Sequence, residues 1–235
     1  SILKPLADAA TPQGIIAVMD KPAREAIPGL EVRERGLAGR PEVAKLRLYA
    51  SEQAHSSVDK GALLLGVGMD GIRKIPVDDE FRMIPEALES AIREDVAAGW
   101  RPFCVAATVG TTSTTSVDPI AALADICKEH NLWLHVDAAY GGSAAIVPEM
   151  RWVLEGCERA DSLVVNPHKW LFTPIDISVC YCRRPAVLRR AFSLVPEYLR
   201  SGEGEAAINF MDYGVQLGRR FRALKLWMVI RYFGA

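Results

Sequence analysis

A lysine follows a histidine in the run Asn-Pro-His-Lys-Trp at residues 166–170, directly after the apolar residues 163–165. A lysine that a strand delivers to the carboxyl edge of a sheet lies where open α/β folds bind their ligands. Its amine can form a Schiff base with an aldehyde. Although a lone lysine after a strand is more often a surface residue, Lys169 is therefore a candidate for the covalent attachment of an aldehyde.

A second apolar run, residues 132–142, ends in Asp137, two alanines, a tyrosine and two glycines. Pyridoxal phosphate needs an acid against its pyridine nitrogen, and small residues let its ring lie close to the backbone. A strand-end aspartate together with a strand-end lysine is far more specific than either residue alone. The pair predicts pyridoxal 5'-phosphate as the cofactor.

Three runs carry a resemblance to a known family: His-Val-Asp-Ala-Ala-Tyr at 135–140, Asn-Pro-His-Lys-Trp at 166–170, and Tyr-Ala-Ser-Glu-Gln-Ala-His-Ser-Ser at 49–57. Together they resemble the group II pyridoxal-phosphate decarboxylases, in the aromatic-L-amino-acid decarboxylase branch. The resemblance extends from about Leu46 to Ala235 and weakens before Leu46. It implies decarboxylation of an aromatic L-amino acid to the amine and carbon dioxide. The alternatives are a catalytically silent fragment or paralogue, and an aromatic aldehyde synthase.

The resemblance assigns the cofactor contacts. Lys169 is the Schiff-base lysine, and Asp137 keeps the pyridine nitrogen protonated, since an opposite charge nearby favours the protonated base; the alternative for Asp137 is a helix cap. His55 stacks on the ring and takes part in proton transfer. The remaining contacts are made by residues that line the ring and by residues that lie beside the 5'-phosphate: Thr112 and Ala139 in the first group, Asn166 and His168 in the second.

Two further residues correspond to parts of the family that act on the substrate. Tyr198 lies in Val-Pro-Glu-Tyr-Leu at 195–199 and matches the tyrosine of a mobile catalytic loop, at about 193–212, that donates a proton to the substrate carbon. Because family members that make aldehydes tend to lack this tyrosine or the ring-stacking histidine, Tyr198 and His55 favour plain decarboxylation. Gly218 matches a position near the substrate ring, and a helix-start glycine is the equal alternative.

Composition excludes several classes of function. Half of the 235 residues are apolar, but no 18 of them run uninterrupted, so no membrane span is expected. The formal net charge of −1 gives no reason to expect a nucleic-acid partner. Five cysteines without a CxxC pair fit a reducing cytoplasm, and no metal site is expected. The expected partner is a small amino-acid substrate, and the resemblance implies a homodimer in the full-length form.

Strand and helix patterns alternate along the chain. Apolar runs predict strands over 45–49, 72–77, 103–108, 132–136, 162–165 and 177–182, and helical spacing predicts helices over 57–66, 85–98 and 119–130, the first opened by a serine cap. This order is typical of an α/β fold with a mostly parallel sheet and helices on both faces. The resemblance specifies the large domain of fold-type I pyridoxal-phosphate transferases.

The resemblance also divides the chain. Residues 1–45 are expected to form a poorly matching N-terminal part of the large domain, and residues 46–235 the cofactor-binding large domain with its catalytic loop. The family's small-residue phosphate-binding turn has only residues 10–15, Ala-Thr-Pro-Gln-Gly-Ile, near its place. A C-terminal small domain is expected to be absent, so that the chain looks truncated at both ends.

Overall fold

The computed structural model describes residues 5–7, 36–37, 39–41, 43, 45–194 and 209–234. Within them, seven strands form one sheet in the order β1-β7-β6-β5-β4-β2-β3. Neighbours among β2 to β6 run parallel, while β7 is antiparallel to both β6 and β1. The strands are β1 (Pro5–Ala7), β2 (Leu46–Ser51), β3 (Ile72–Ile75), β4 (Arg101–Thr108), β5 (Trp133–Asp137), β6 (Ser162–Val165) and β7 (Val179–Cys182).

Helices connect the parallel strands and continue beyond the sheet. In the described part of the chain they are α1 (Ser57–Leu64), α2 (Pro85–Ala97), α3 (Ile120–Glu129), α4 (Pro167–Trp170), α5 (Pro185–Phe192) and α6 (Arg222–Phe233). The segment after β5 forms 3-10 helices, Gly141–Ile146 and Pro148–Leu154. None of the helices in these described ranges is long and apolar enough to cross a membrane.

The sheet has a buried core on each face, as the alternation of strand side chains requires. One core packs α2 and α3 against strand residues such as Tyr49 and Leu134. The other packs α1 and α5 against residues such as Leu48 and Trp133. The mostly parallel sheet covered on both faces is therefore confirmed.

Several predicted boundaries shift for identifiable reasons. The first helix ends at Leu64 rather than 66, and Gly66 has a positive φ of 72°. The strand predicted over 72–77 ends at Ile75, because Pro76 has no N–H to donate. The strand predicted over 177–182 begins only at Val179. Strand β1 was not predicted at all, since three residues carry no measurable periodicity.

The predicted capping of α1 by a serine side chain is wrong. Ser56 occupies the N-cap position but its side chain makes no capping hydrogen bond. The Nδ1 atom of His55 lies 3.2 Å from the Ser57 backbone nitrogen and accepts its hydrogen bond instead. An imidazole thus satisfies a backbone donor that the helix start leaves unpaired.

A buried carboxylate fixes the carboxyl end of β4. Both oxygens of Asp118 accept backbone hydrogen bonds at 2.7 Å, one from Met83 and one from Thr108. Burial raises the pKa of Asp118 to about 6, against the lowering effect of these two donors. Because Met83 lies 35 residues away in sequence, the pattern of apolar residues gave no sign of this bridge.

Candidate active site

The carboxyl ends of β2, β4, β5 and β6 meet at one edge of the sheet. Thr108 of β4 is in register with Asp137 of β5, and Asp137 with Val164 of β6. Neighbouring strands lie about 4.8 Å apart, so the span from β2 to β6 is about 14 Å. The strand ends at this edge and the segments that follow them carry the predicted residues of the cofactor site: His55, Thr112, Asp137, Ala139, Asn166, His168 and Lys169.

Asp137 ends β5 and folds back on the next residues of its own chain. Its Oδ1 accepts a hydrogen bond from the backbone nitrogen of Ala139 at 3.0 Å. Its second carboxylate oxygen makes no hydrogen bond to a described residue. Tyr140, not Asp137, occupies the N-cap position of the 3-10 helix that follows, so the helix-cap alternative is wrong. Asp137 is half-buried at the sheet edge, and its second carboxylate oxygen is therefore available to a ligand.

Lys169 lies in α4, a single turn that begins with Pro167 immediately after β6. The backbone nitrogen of Asn166 donates to the Ala139 carbonyl oxygen at 3.1 Å, which links the β6 end to the β5 end. The Lys169 nitrogen donates to the Asn166 carbonyl oxygen at 2.9 Å. The Lys169 side chain is exposed, and no described carboxylate lies within ion-pair distance of its amine.

His168 and Asn166 differ in how their side chains are engaged. The Nδ1 atom of His168 lies 2.6 Å from the Ile177 carbonyl oxygen. The Ile177 backbone nitrogen also lies 3.2 Å from Nδ1, so both backbone groups of Ile177 contact this ring nitrogen, and Nε2 makes no hydrogen bond to a described residue. These contacts use the backbone groups with which Ile177 would pair in the sheet, and the final strand starts after it. The Oδ1 atom of Asn166 is buried and has no hydrogen-bond partner in the described ranges.

Two glycines bring the loops after β4 and β5 into backbone contact. A Cβ atom on Gly110 would lie 2.8 Å from the Gly141 nitrogen, and one on Gly141 would lie 2.6 Å from the Val109 carbonyl oxygen. Gly110 also has a φ of 83°, which favours glycine. Buried Thr111 closes the turn through its Oγ1, 3.0 Å from the Ser116 nitrogen. Thr112 is left exposed at the edge.

His55 lies at the opposite end of this row, in the loop after β2. The ring is exposed, and its Nδ1 is engaged by the backbone nitrogen and the hydroxyl of Ser57, at 3.2 and 3.0 Å. The Nε2 atom is therefore the nitrogen that remains for a ligand. The predicted His55 thus joins the edge that carries Asp137 and Lys169.

Gly218 lies in an exposed segment before α6, with nothing within 4 Å of the position that a Cβ atom would take. Since α6 begins at Arg222, a helix-start role for Gly218 is wrong. Asp176, in the loop after Lys169, pairs with Arg220 and, at 3.2 Å, with Arg222. The hydrogen bond from Arg222 lowers the pKa of Asp176 below its usual value. These ion pairs tie the lysine loop to the segment that carries Gly218.

Sequence patterns missed two groups that lie close to the predicted site residues in the sequence. Tyr140 and Trp170 stack on each other, each one residue after a predicted site residue. Buried His135 lies two residues before Asp137 on the same strand face, with its Nδ1 2.8 Å from the Ser162 hydroxyl. Burial lowers the pKa of His135, and the charge of Asp137 opposes that shift. Adjacency to the predicted residues was the only available signal.

Some predicted features lie outside the described residues. Tyr198 and most of the predicted catalytic loop belong to residues 195–208, and the candidate phosphate-binding turn to residues 10–15. The edge can therefore be described through seven of the predicted cofactor-site residues. Chemically it combines a lysine amine, a carboxylate oxygen and an amide oxygen that have no partner among the described residues, together with an imidazole.

Comparisons with known proteins agree with this chemistry. The model of the pyridoxal-dependent decarboxylase conserved domain matches residues 17–235. The chain is 44% identical over 211 residues to tryptophan decarboxylase TDC2 of Camptotheca acuminata, covering 87% of this chain and 42% of that protein. It is 43% identical over 200 residues to phenylacetaldehyde synthase of Petunia hybrida, covering 83% of this chain and 40% of that protein.

A solved structure extends the agreement to the fold. The crystal structure of Oryza sativa TDC with PLP and tryptamine superimposes with a TM-score of 0.83 at 38% identity, covering 94% of this chain and 44% of that one. The chain thus spans less than half the length of these relatives, and its fold is that of the large domain of fold-type I pyridoxal-phosphate enzymes. With a family model that matches nearly all of its residues, the chain belongs to the pyridoxal-dependent decarboxylases.

Proposed function

We propose that this chain carries the cofactor site of an enzyme that decarboxylates an aromatic L-amino acid to the corresponding amine and carbon dioxide. The observation that carries the proposal is the delivery of Asp137 and Lys169 to one sheet edge by adjacent parallel strands. The names of the relatives, which include tryptophan and tyrosine decarboxylases, support an aromatic substrate.

The residues at this edge fit pyridoxal phosphate. Within the described part of the chain, the Lys169 amine has no partner and can meet the cofactor aldehyde, and one oxygen of Asp137 has no partner and can meet a protonated ring nitrogen. The buried Oδ1 of Asn166 lacks a donor, which a ligand at this edge can bring. When bound, this cofactor supplies an electron-accepting ring that stabilises the charge left on the substrate when the carboxylate departs.

In this proposal each residue has a distinct task. Lys169 holds the cofactor covalently, and Asp137 keeps a proton on the pyridine nitrogen through its negative charge. His55 contacts the ring through the face of its imidazole. The orientation of that imidazole is held by the hydrogen bond that Nδ1 accepts from the Ser57 backbone nitrogen. Thr112 and Ala139 line the ring. Asn166 and His168 lie beside the phosphate, and Gly218 lies near the substrate ring.

Loss of the proton donor is expected to change the product. We propose that Tyr198 protonates the substrate carbon after carbon dioxide leaves, and that its absence lets oxygen react there to give aldehyde, ammonia and peroxide. Tyr198→Phe deletes only the hydroxyl, so we expect a shift from amine towards aldehyde and peroxide, measured by chromatography and a peroxide assay. If Tyr198→Phe forms amine as fast as the parent and makes no peroxide, Tyr198 is not the proton donor, and His55 becomes the leading candidate for that role.

The same assay separates the two enzymatic alternatives. Phenylacetaldehyde synthase of Petunia hybrida is among the relatives, so aldehyde formation is the second candidate activity. The presence of both Tyr198 and His55 favours the amine as the product of the unaltered chain. Aldehyde and peroxide as the main products of the unaltered chain would make it an aldehyde synthase.

Cofactor binding distinguishes an enzyme from a silent paralogue. Addition of pyridoxal phosphate to the chain is expected to produce the absorbance band of a lysine-bound cofactor, and labelled carbon dioxide should be released from a carboxyl-labelled aromatic amino acid. A band without carbon dioxide would identify a binding-competent but inactive chain. No band at any cofactor concentration would support the silent alternative.

We further propose a cytoplasmic homodimer acting in carboxylic acid metabolism, with the amino acid as its small-molecule partner and without a nucleic-acid or membrane partner. The five cysteines are free thiols, which fits a reducing compartment. The formal net charge of −1 gives no reason to expect binding to a polyanion such as a nucleic acid. Sedimentation of the purified protein with cofactor measures the oligomeric state.

A further inference from the structure

Two aromatic rings clamp the loops that carry the proposed cofactor residues. Tyr140 directly follows Ala139, and Trp170 directly follows Lys169. Their ring centroids lie 4.8 Å apart with an angle of 10° between the planes. This is a parallel stack at the distance that aromatic pairs prefer.

The stack lies where the sheet no longer joins the two strands. The last residue pair in register between β5 and β6 is Asp137 with Val164. Beyond it, two backbone hydrogen bonds join the strand ends, from the Ala138 nitrogen to the Val164 carbonyl oxygen at 3.0 Å and from the Asn166 nitrogen to the Ala139 carbonyl oxygen at 3.1 Å. The Tyr140–Trp170 stack is a further contact between the two loops, formed by side chains. Consequently the rings act on the segment in which Lys169 itself lies.

Helix α4 depends on such contacts for its position. It contains four residues, and a single helical turn has little stability of its own. Tyr140 and Trp170 remain 37% and 44% exposed, so the pair does not form part of either buried core. A contact of this kind affects the placement of a local segment more than the stability of the whole fold.

We propose that the Tyr140–Trp170 stack is a positioning device that holds Lys169 at a fixed place relative to Asp137, and so raises the affinity for pyridoxal phosphate. The inference rests on the proposed cofactor site. Tyr140 and Trp170 act through the backbone of their neighbours, Ala139 and Lys169, and need no contact with the reacting atoms. A misplaced amine at the end of a flexible turn binds its partner more weakly, because ordering the turn opposes binding.

A double-mutant cycle tests the stack. The variants are Tyr140→Ala, Trp170→Ala and the double variant, and the measurement is the dissociation constant of pyridoxal phosphate from absorbance titration. Each single variant is expected to weaken binding about 3- to 10-fold, in line with the worth of an aromatic pair. The double variant should bind no more weakly than the weaker single variant, since either replacement already removes the stack.

Conservative and control variants separate positioning from folding. Tyr140→Phe and Trp170→Phe keep a ring and should bind within about 2-fold of the parent, whereas Tyr140→Leu keeps apolar bulk without a ring and should weaken binding as alanine does. Trp152→Ala removes an exposed tryptophan from the 3-10 helix Pro148–Leu154 and should change nothing. Thermal unfolding of the cofactor-free variants is expected to match the parent.

The outcomes distinguish this inference from the proposed function. Borohydride reduction of the parent with pyridoxal phosphate should label Lys169, and absence of that label would overturn both. If the parent is labelled at Lys169 but Tyr140→Leu and both alanine variants bind pyridoxal phosphate as tightly as the parent, only the positioning role of the stack is overturned. Additive losses in the double variant would likewise show that the two rings act separately.

Discussion

Replacement of Lys169 by alanine is expected to abolish covalent binding of the cofactor. The amine is the group that links to the cofactor aldehyde, and alanine has none. Decarboxylation should fall by about 10³-fold or more, because loss of a residue that acts covalently has effects of at least this size. The measurements are pyridoxyl incorporation after borohydride reduction, mapped by peptide mass spectrometry, and carbon dioxide release.

Two other lysines provide matched controls for this experiment. Lys60 in α1 and Lys128 in α3 are exposed like Lys169, but neither follows a strand end. Lys60→Ala and Lys128→Ala should retain full labelling and activity. Label found on Lys60 or Lys128 in the unaltered chain would show that the assignment of Lys169 is wrong.

Asp137→Asn is expected to lower kcat/KM by about 10²- to 10³-fold while leaving the fold intact. The amide cannot balance the charge of a protonated pyridine nitrogen, and loss of a preorganised electrostatic partner has effects of this size. Folding should survive because the amide oxygen can still accept the hydrogen bond that Oδ1 takes from the Ala139 nitrogen. Carbon dioxide release and thermal unfolding measure the two effects.

Asp125→Asn is the matched control, because Asp125 is an exposed aspartate of α3 whose partner is Arg159. It should leave the rate and the thermal unfolding temperature close to those of the parent, because an ion pair in contact with solvent contributes little to stability. Near-normal turnover of Asp137→Asn would mean that the ring nitrogen has another partner. Loss of folding in that variant would instead assign Asp137 a mainly structural role.

Strand-end position is the property from which Asp137 and Lys169 were predicted as the main residues of the proposed site. Asp137 and Lys169 each follow a short apolar run, and the carboxyl ends of parallel strands share an edge. Apolar periodicity also predicted the helices on both faces, because it reports which side of an element is buried. Boundaries failed where a particular side chain intervened, as His168 does at Ile177.

The sequence by itself determined the α/β class, the family resemblance and the residues expected to meet the cofactor, because burial patterns and short motifs are local properties of the chain. Only the tertiary structure decided how those residues are held. Asp118 joins Met83 to Thr108, Asp176 reaches Arg220 and Arg222, and Tyr140 stacks on Trp170. Such contacts depend on strand register and on the path of the loops, which bring together residues that no short pattern connects.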